Sequence, residues 1–325
     1  MDILLHIGAH RTGTASLQAY LAQNRVPLAA LGLAVWGPEQ LRGGMGCGLL
    51  VPVGQIAPGA VRRAARATGL LRLGAGRAEL AGADRLIVSD PNLIGGVRDN
   101  LARLRLYPHA GLRLARFAPA FGGRCSRVAL TIRAYDSYWA SALALAVAHG
   151  AAPPDEARLD RLVTQPRRWR QVVADVAQVF PAAELVVWPF EALAGRPDWQ
   201  LRAITGEPIP AQPQRPVRLN PAPGRDHLRR ILQDRGGAAA QDAVAPGDGP
   251  WQPFGRHHVE VLRAQYAEDL AWLRNGADGL AILSDAPNAD RSTPADAEPE
   301  RHPGYGKEGR HHDGHHSGRG EAGLG

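Results

Sequence analysis

His6-Ile7-Gly8-Ala9-His10-Arg11-Thr12-Gly13-Thr14-Ala15-Ser16-Leu17-Gln18 closes the first apolar run, Ile3 to Ile7, and leads into a helical stretch from Thr14 to Asn24. Strand, glycine-bearing turn and helix form the context that a phosphate cradle requires. The first N–H groups of a helix have no partner inside it and point toward an incoming anion. Gly13 lets the backbone approach closely, while Thr12, Thr14 and Ser16 can add hydroxyl donors and Ala15 a backbone N–H. Gly8 and Gly13 have the spacing of the nucleoside-triphosphate loop, Gly-x4-Gly-Lys-Ser/Thr, but Thr14 stands where that loop has its lysine. The cradle is kept and the residue that reaches the outer phosphates is absent. A cation sits inside the loop instead, at Arg11. The bland alternative is an ordinary strand-to-helix turn.

Further along, three more short apolar runs stand between helical stretches. Arg85 to Ser89, Arg127 to Ile132 and Glu184 to Trp188 are continuous rather than alternating, as in strands covered on both faces. Helices are expected at Arg98 to Leu106, Leu112 to Phe121, Arg167 to Phe180 and Arg256 to Arg274. This series predicts an α/β, three-layer P-loop-type domain with a central parallel sheet flanked by helices. Ligands of such sheets gather beyond the carboxyl ends of the strands. Gly37 to Gly82 and Pro153 to Pro166 give no clear pattern, apart from a helical hint at Ala60 to Ala67.

The domain is expected to span 1–284. From Asp285 the chain is mainly Pro, Gly, Ala, His, Asp and Glu, so 285–325 reads as a disordered tail. The tail carries a net charge of −3 against +7 for the whole chain, so the folded part is near +10. That surplus favours an anionic ligand. Lys307 is the only lysine, and every other basic side chain is arginine. The two cysteines, Cys47 and Cys125, make neither a disulfide framework nor a metal site. With no signal-peptide pattern at Met1 to His6 and no run long enough to span a bilayer, a cytoplasmic location is expected. The Arg-rich stretches lack the interleaved aromatics of a nucleic-acid module. The cluster His311-His312-Asp313-Gly314-His315-His316 lies in the tail, without surroundings that would orient it as a metal site.

A second anchor follows the run Arg127 to Ile132. Arg133 comes directly after it, and Ser141 eight residues later. Arginine offers a planar fork to a phosphate, and a hydroxyl from the next helix can close the clamp. Together the two motifs resemble the sulfotransferases that use 3′-phosphoadenosine 5′-phosphosulfate (PAPS). Their bacterial members read close to His-x-Gly-x-His-Lys-Thr-Gly-Thr-Thr-x-Leu-Gln at the loop. Here Arg11 replaces the lysine and Ala15 the second threonine. The family's strand-Arg-x7-Ser motif is met by Arg133 and Ser141, without its second arginine. Trp188-Pro189-Phe190-Glu191-Ala192-Leu193 resembles the family's Tyr-Glu-Asp-Leu segment. The matching stretches cover a minor part of the chain.

The resemblance implies an enzyme that moves a sulfuryl group from PAPS to a hydroxyl or amine of a small-molecule or saccharide acceptor, with no metal. It implies that Arg11, Thr12, Gly13, Thr14, Ala15 and Ser16 hold the 5′ side of the nucleotide, and Arg133 with Ser141 the 3′-phosphate. Arg11 is the expected cation at the bridging oxygen. Asp90, at the end of the second run, is the expected base, with His10 the other candidate; an Asp before Pro91 is equally a turn starter. His6 reads as a satisfied core histidine. Two other readings stay open: a non-catalytic nucleotide-binding relative, and a P-loop kinase or hydrolase.

Overall fold

The structure is a computed structural model that describes residues 1–284 apart from 55–57, 122, 211, 214–216 and 237–240. The expected tail, 285–325, lies outside the described residues. In chain order the elements are β1 (Asp2–His6), α1 (Thr14–Gln23), α2 (Arg25–Ala30), β2 (Leu33–Trp36), α3 (Pro38–Gln40), α4 (Ala60–Leu80), β3 (Arg85–Ser89), α5 (Val97–Arg103), α6 (Ala110–Phe121) and β4 (Cys125–Ile132). Then come α7 (Tyr135–Ala148), α8 (Glu156–Thr164), α9 (Trp169–Val179), β5 (Glu184–Pro189), α10 (Phe190–Leu193), α11 (Pro197–Thr205), α12 (Arg225–Gly236), α13 (Arg256–Arg274) and β6 (Ile282–Leu283).

The six strands form one parallel sheet in the order β2-β3-β1-β4-β5-β6. Alternate residues of each strand feed two cores. Ile3, Leu5, Leu86, Val88, Val128 and Leu130 pack on one face with α4, α6, α7 and α9. Leu4, Ile87, Val35, Ala129 and Val186 pack on the other with α1, α2 and α11. Apolar residues at both parities of a strand leave no solvated face, so the sheet must be covered on both sides. The expected three-layer α/β architecture is therefore present.

β2 and β6 add to the four strands legible in the sequence. The region 37–82 resolves into α3, a wide π-type helical turn at Leu41–Met45 and the 21-residue α4. Gly74 lets α4 settle on that turn, because a Cβ there would lie 2.6 Å from the Met45 sulfur and 3.1 Å from the Trp36 ring. Pro153 to Pro166 contains α8, started by Asp155, whose carboxylate accepts the Arg158 N–H. No helix among the described residues is long and apolar enough to cross a membrane.

β1 sits between β3 and β4. Its own crossover runs to β2 on one side, while that of β4 runs to β5 on the other. The loops leaving β1 and β4 diverge, which opens a crevice above their carboxyl ends, the place where sheets of this kind hold ligands.

Candidate functional site

The loop from Gly8 to Gly13 rises from β1 into that crevice. Its pairing with β4 continues past the strand, since the Ala9 N–H donates to the Thr131 carbonyl at 2.9 Å. Gly8 has φ +98°, and a Cβ there would stand 2.7 Å from the Pro91 Cβ. The turn after β3 thus packs directly on the loop, which only glycine permits. Gly13, at φ +74°, is the N-cap of α1 and turns the first N–H groups of the helix toward the crevice. The Thr12 hydroxyl donates to the Ala9 carbonyl at 2.7 Å, so it holds the loop's shape and leaves the backbone N–H for an anion. Thr14 is nearly buried. The Ser16 hydroxyl oxygen accepts the Leu219 N–H at 2.9 Å and keeps its own proton to donate.

Arg11 adopts φ +62°, a left-handed conformation uncommon outside glycine that costs of order 1 kcal/mol and recurs at functional sites. From there its Nε donates to the Ser141 hydroxyl at 2.9 Å. The Arg133 Nη1 donates to the Arg11 carbonyl at 2.6 Å. Three residues drawn from two distant motifs meet at one point of the crevice. Phe190 completes the wall: the Arg133 guanidinium lies 4.8 Å from its ring centroid, and a Cβ at Gly13 would be 3.5 Å from its edge. The Trp169 indole N–H donates to the Arg133 carbonyl at 2.9 Å and fixes the strand end. Burial and the neighbouring Arg133 hold the Arg11 guanidinium below its ordinary pKa, and burial does the same at Arg133. Two desolvated cations side by side make a strong attraction for anions. The buried Arg133 Nε has no hydrogen-bond partner among the described residues.

The two expected bases are occupied. Asp90 is fully buried, and its oxygens take a bidentate pair from Arg42, Nε at 2.8 Å and Nη2 at 2.6 Å. It also caps the turn Pro91–Leu93 by accepting the Asn92 N–H at 2.9 Å. Geometry thus gives Asp90 the turn-starting and ion-pairing role. His10 is wedged between Tyr107, whose hydroxyl lies 3.0 Å from Nδ1, and Asn92, whose Oδ1 lies 2.9 Å from Nε2. The Asn92 Oδ1 can only accept, so Nε2 of the neutral ring carries the proton and Nδ1 accepts from the Tyr107 hydroxyl. Burial pushes His10 down to about 4, against smaller opposing effects of Asn92 and Asp90, and it is neutral at pH 7. His6, also lowered to about 4 by burial, is held by the Ser89 hydroxyl at 2.8 Å and stacks on Trp188, as a core histidine does.

Arg42, Tyr107 and Asn92 are site residues that the motifs did not single out. Away from the crevice, Glu156, Asp160 and His258 place their ligand atoms within 4.8 Å of one another. The His258 Nε2 lies 2.9 Å from the Asp160 Oδ1, a hydrogen bond that fastens α13 to α8. No family model matches the chain, and comparison with curated proteins and with solved structures gives no match.

Proposed function

We propose that the chain is a PAPS-dependent sulfotransferase acting on a hydroxyl or amine of a small-molecule or saccharide acceptor. The observation that carries this reading is the meeting of Arg11, Ser141 and Arg133 at the switch point of the sheet. A lone turn with a glycine would have no reason to sit against a strand-end arginine and a helix serine from the second motif. The residues fit a nucleotide with two anionic ends. The N–H groups opening α1, with Ser16, would hold the 5′-phosphate side, and the unpartnered Arg133 Nε with Ser141 the 3′-phosphate. Phe190 offers a flat apolar surface beside them.

Sulfuryl transfer needs alignment and charge stabilisation more than covalent help from the protein. Arg11 supplies the cation at the leaving oxygen. Its fork is bulkier than a lysine ammonium, so its geometry is set more narrowly, and the bond to Ser141 sets it. Thr14 in the place of the nucleoside-triphosphate lysine disfavours a kinase or hydrolase. The second reading is a nucleotide-binding relative without transfer activity, and the engagement of both Asp90 and His10 favours it.

Arg133→Ala tests the donor site. It removes a guanidinium whose buried Nε has no partner among the described residues, and a charge-assisted bond to phosphate contributes about 1.5–3 kcal/mol. The affinity for 3′,5′-adenosine bisphosphate is expected to fall at least tenfold by calorimetry while ADP affinity changes little. Equal affinity for the bisphosphate in both proteins would remove the 3′-phosphate assignment.

A further inference from the structure

A cavity of about 270 Å³ opens between α1 and the segment that runs from β2 into α3. Its walls include Ala15, Gln18 and Ala19 of α1, Pro38 and Glu39 of α3, and Ser89 at the carboxyl end of β3. Ala15 belongs to the first turn of α1, so one end of the cavity touches the phosphate cradle directly. The methyl group that stands in place of a threonine hydroxyl there is part of this wall. The volume is just below the range usual for drug-sized ligands.

The lining states what it can recognise. Its body is apolar, from alanine methyls and Pro38. Gln18 donates its amide nitrogen to the Ser89 carbonyl at 3.0 Å, which fixes the amide orientation and leaves Oε1 as an acceptor. Glu39 is exposed and has neither a hydrogen bond nor an ion pair among the described residues. It differs in this from Asp90 and His10, whose polar atoms are spent. The lining cation, Arg25, begins the next helix, ten residues after Ala15 and roughly 15 Å away along the helix rise. Gln18 Oε1 and Glu39 are thus the open acceptors of the lining and Arg25 its cation, a set that suits a neutral hydroxyl donor.

The wall is also held firmly. Gln40 caps its own turn by accepting the Gly37 N–H at 2.9 Å. Two residues later Arg42 reaches back to buried Asp90, which pins the segment over the end of β3.

We propose that this cavity is the acceptor site, that it takes a small alcohol or phenol, and that Glu39 receives the acceptor's proton. The proposal rests on the sulfotransferase reading above. The acceptor oxygen forms a bond to the sulfur of PAPS, and the bond from sulfur to the bridging 5′-phosphate oxygen breaks. The electron pair leaves on that phosphate oxygen, and the hydroxyl proton passes to Glu39.

The test uses the full chain, with and without saturating 3′,5′-adenosine bisphosphate. 4-Nitrophenol and cyclohexanol are titrated in, and backbone amide shifts are followed. The expected shifts fall at residues 15–22 and 37–40, and Ala19→Trp, which fills the cavity, abolishes them while bisphosphate affinity stays within twofold. The probe that binds is then offered with PAPS. Glu39→Gln is expected to lower kcat by about 10²- to 10⁴-fold and to leave KM within about threefold. Shifts elsewhere, no shifts with either probe, or shifts that persist in Ala19→Trp would overturn the cavity assignment. Binding of a probe without turnover by the wild type would overturn its acceptor role, and turnover by Glu39→Gln within threefold of wild type would overturn Glu39. Failure of the wild type to bind the bisphosphate would instead sink the donor reading, and the probe titration without nucleotide would still judge the cavity.

Discussion

Asp90 and Arg42 offer a sharp test of how the crevice is held. Asp90 has no solvent exposure, and it accepts two guanidinium bonds, 2.8 and 2.6 Å, and the Asn92 N–H at 2.9 Å. Arg42→Ala leaves the buried carboxylate with the Asn92 N–H as its remaining bond. Breaking a buried pair from one side costs about 3–5 kcal/mol. The Arg42 side chain is 44% exposed, so solvent screening lowers the expected loss to about 2–3 kcal/mol. Asp90→Ala removes the buried charge itself. Arg42 then turns to water, and the orphaned Asn92 N–H costs about 1–3 kcal/mol. The double variant is expected to be no less stable than Arg42→Ala, so the coupling in the cycle is at least the Asp90→Ala cost, about 1–3 kcal/mol. Urea unfolding measures these differences, and thermal unfolding is expected to shift by about 5–10 °C for Arg42→Ala. A stability loss under about 0.5 kcal/mol in that variant would refute the reasoning. So would an Asp90→Asn protein of normal stability and nucleotide affinity that had lost transfer, because Asp90 would then be the base.

Two further outcomes follow from buried groups. His6 and His10 titrate near 4 in the folded chain and near 6.5 unfolded; the unfolded chain binds more protons between these values, so stability is expected to fall as pH drops from 6.5 toward 4, by up to about 1.4 kcal/mol per pH unit per histidine. Urea titrations at several pH values check this, and a flat profile between pH 6.5 and 5 would contradict the buried neutral state. Burial pushes the Cys125 thiol up to about 12, while Cys47 is exposed; an aromatic disulfide reagent is expected to titrate one thiol in the native chain and two in urea, and two fast native thiols would contradict the packing of β4.

Much of this fold is legible in the sequence for a simple reason. β1, β3, β4 and β5 are buried on both faces, so they read as continuous apolar runs, while α6 and α9 each bury one apolar stripe. β2 escaped because Leu33–Trp36 is four residues long and follows a glycine turn, and β6 because Ile282–Leu283 is two residues at the sheet edge. α4 was seen only in its first third, since Gly69, Gly74 and Gly76 interrupt the pattern while packing on Trp36 and Met45 requires one of them. At the site, Arg11, Arg133 and Ser141 were legible because each is fixed by distance from a strand end. Arg42 and Glu39 were not. They come from a glycine-rich stretch without periodicity, and nothing local to Asp90 announces a partner 48 residues earlier. The dual nature of an Asp before Pro was legible, and geometry gives it the turn and the ion pair. His10 could be ranked as a base because its tyrosine and asparagine partners are 97 and 82 residues away.

Calorimetric titration of the full chain with 3′,5′-adenosine bisphosphate, beside ADP and magnesium–ATP, bears most directly on the proposed donor site. Two anchors at the switch point, one for each end of the nucleotide, lead to tight binding of the bisphosphate and weak binding of the other two. Equal affinity for all three would mean that Arg133 and Ser141 hold no 3′-phosphate, and the crevice would be a phosphate cradle without the sulfotransferase's second anchor.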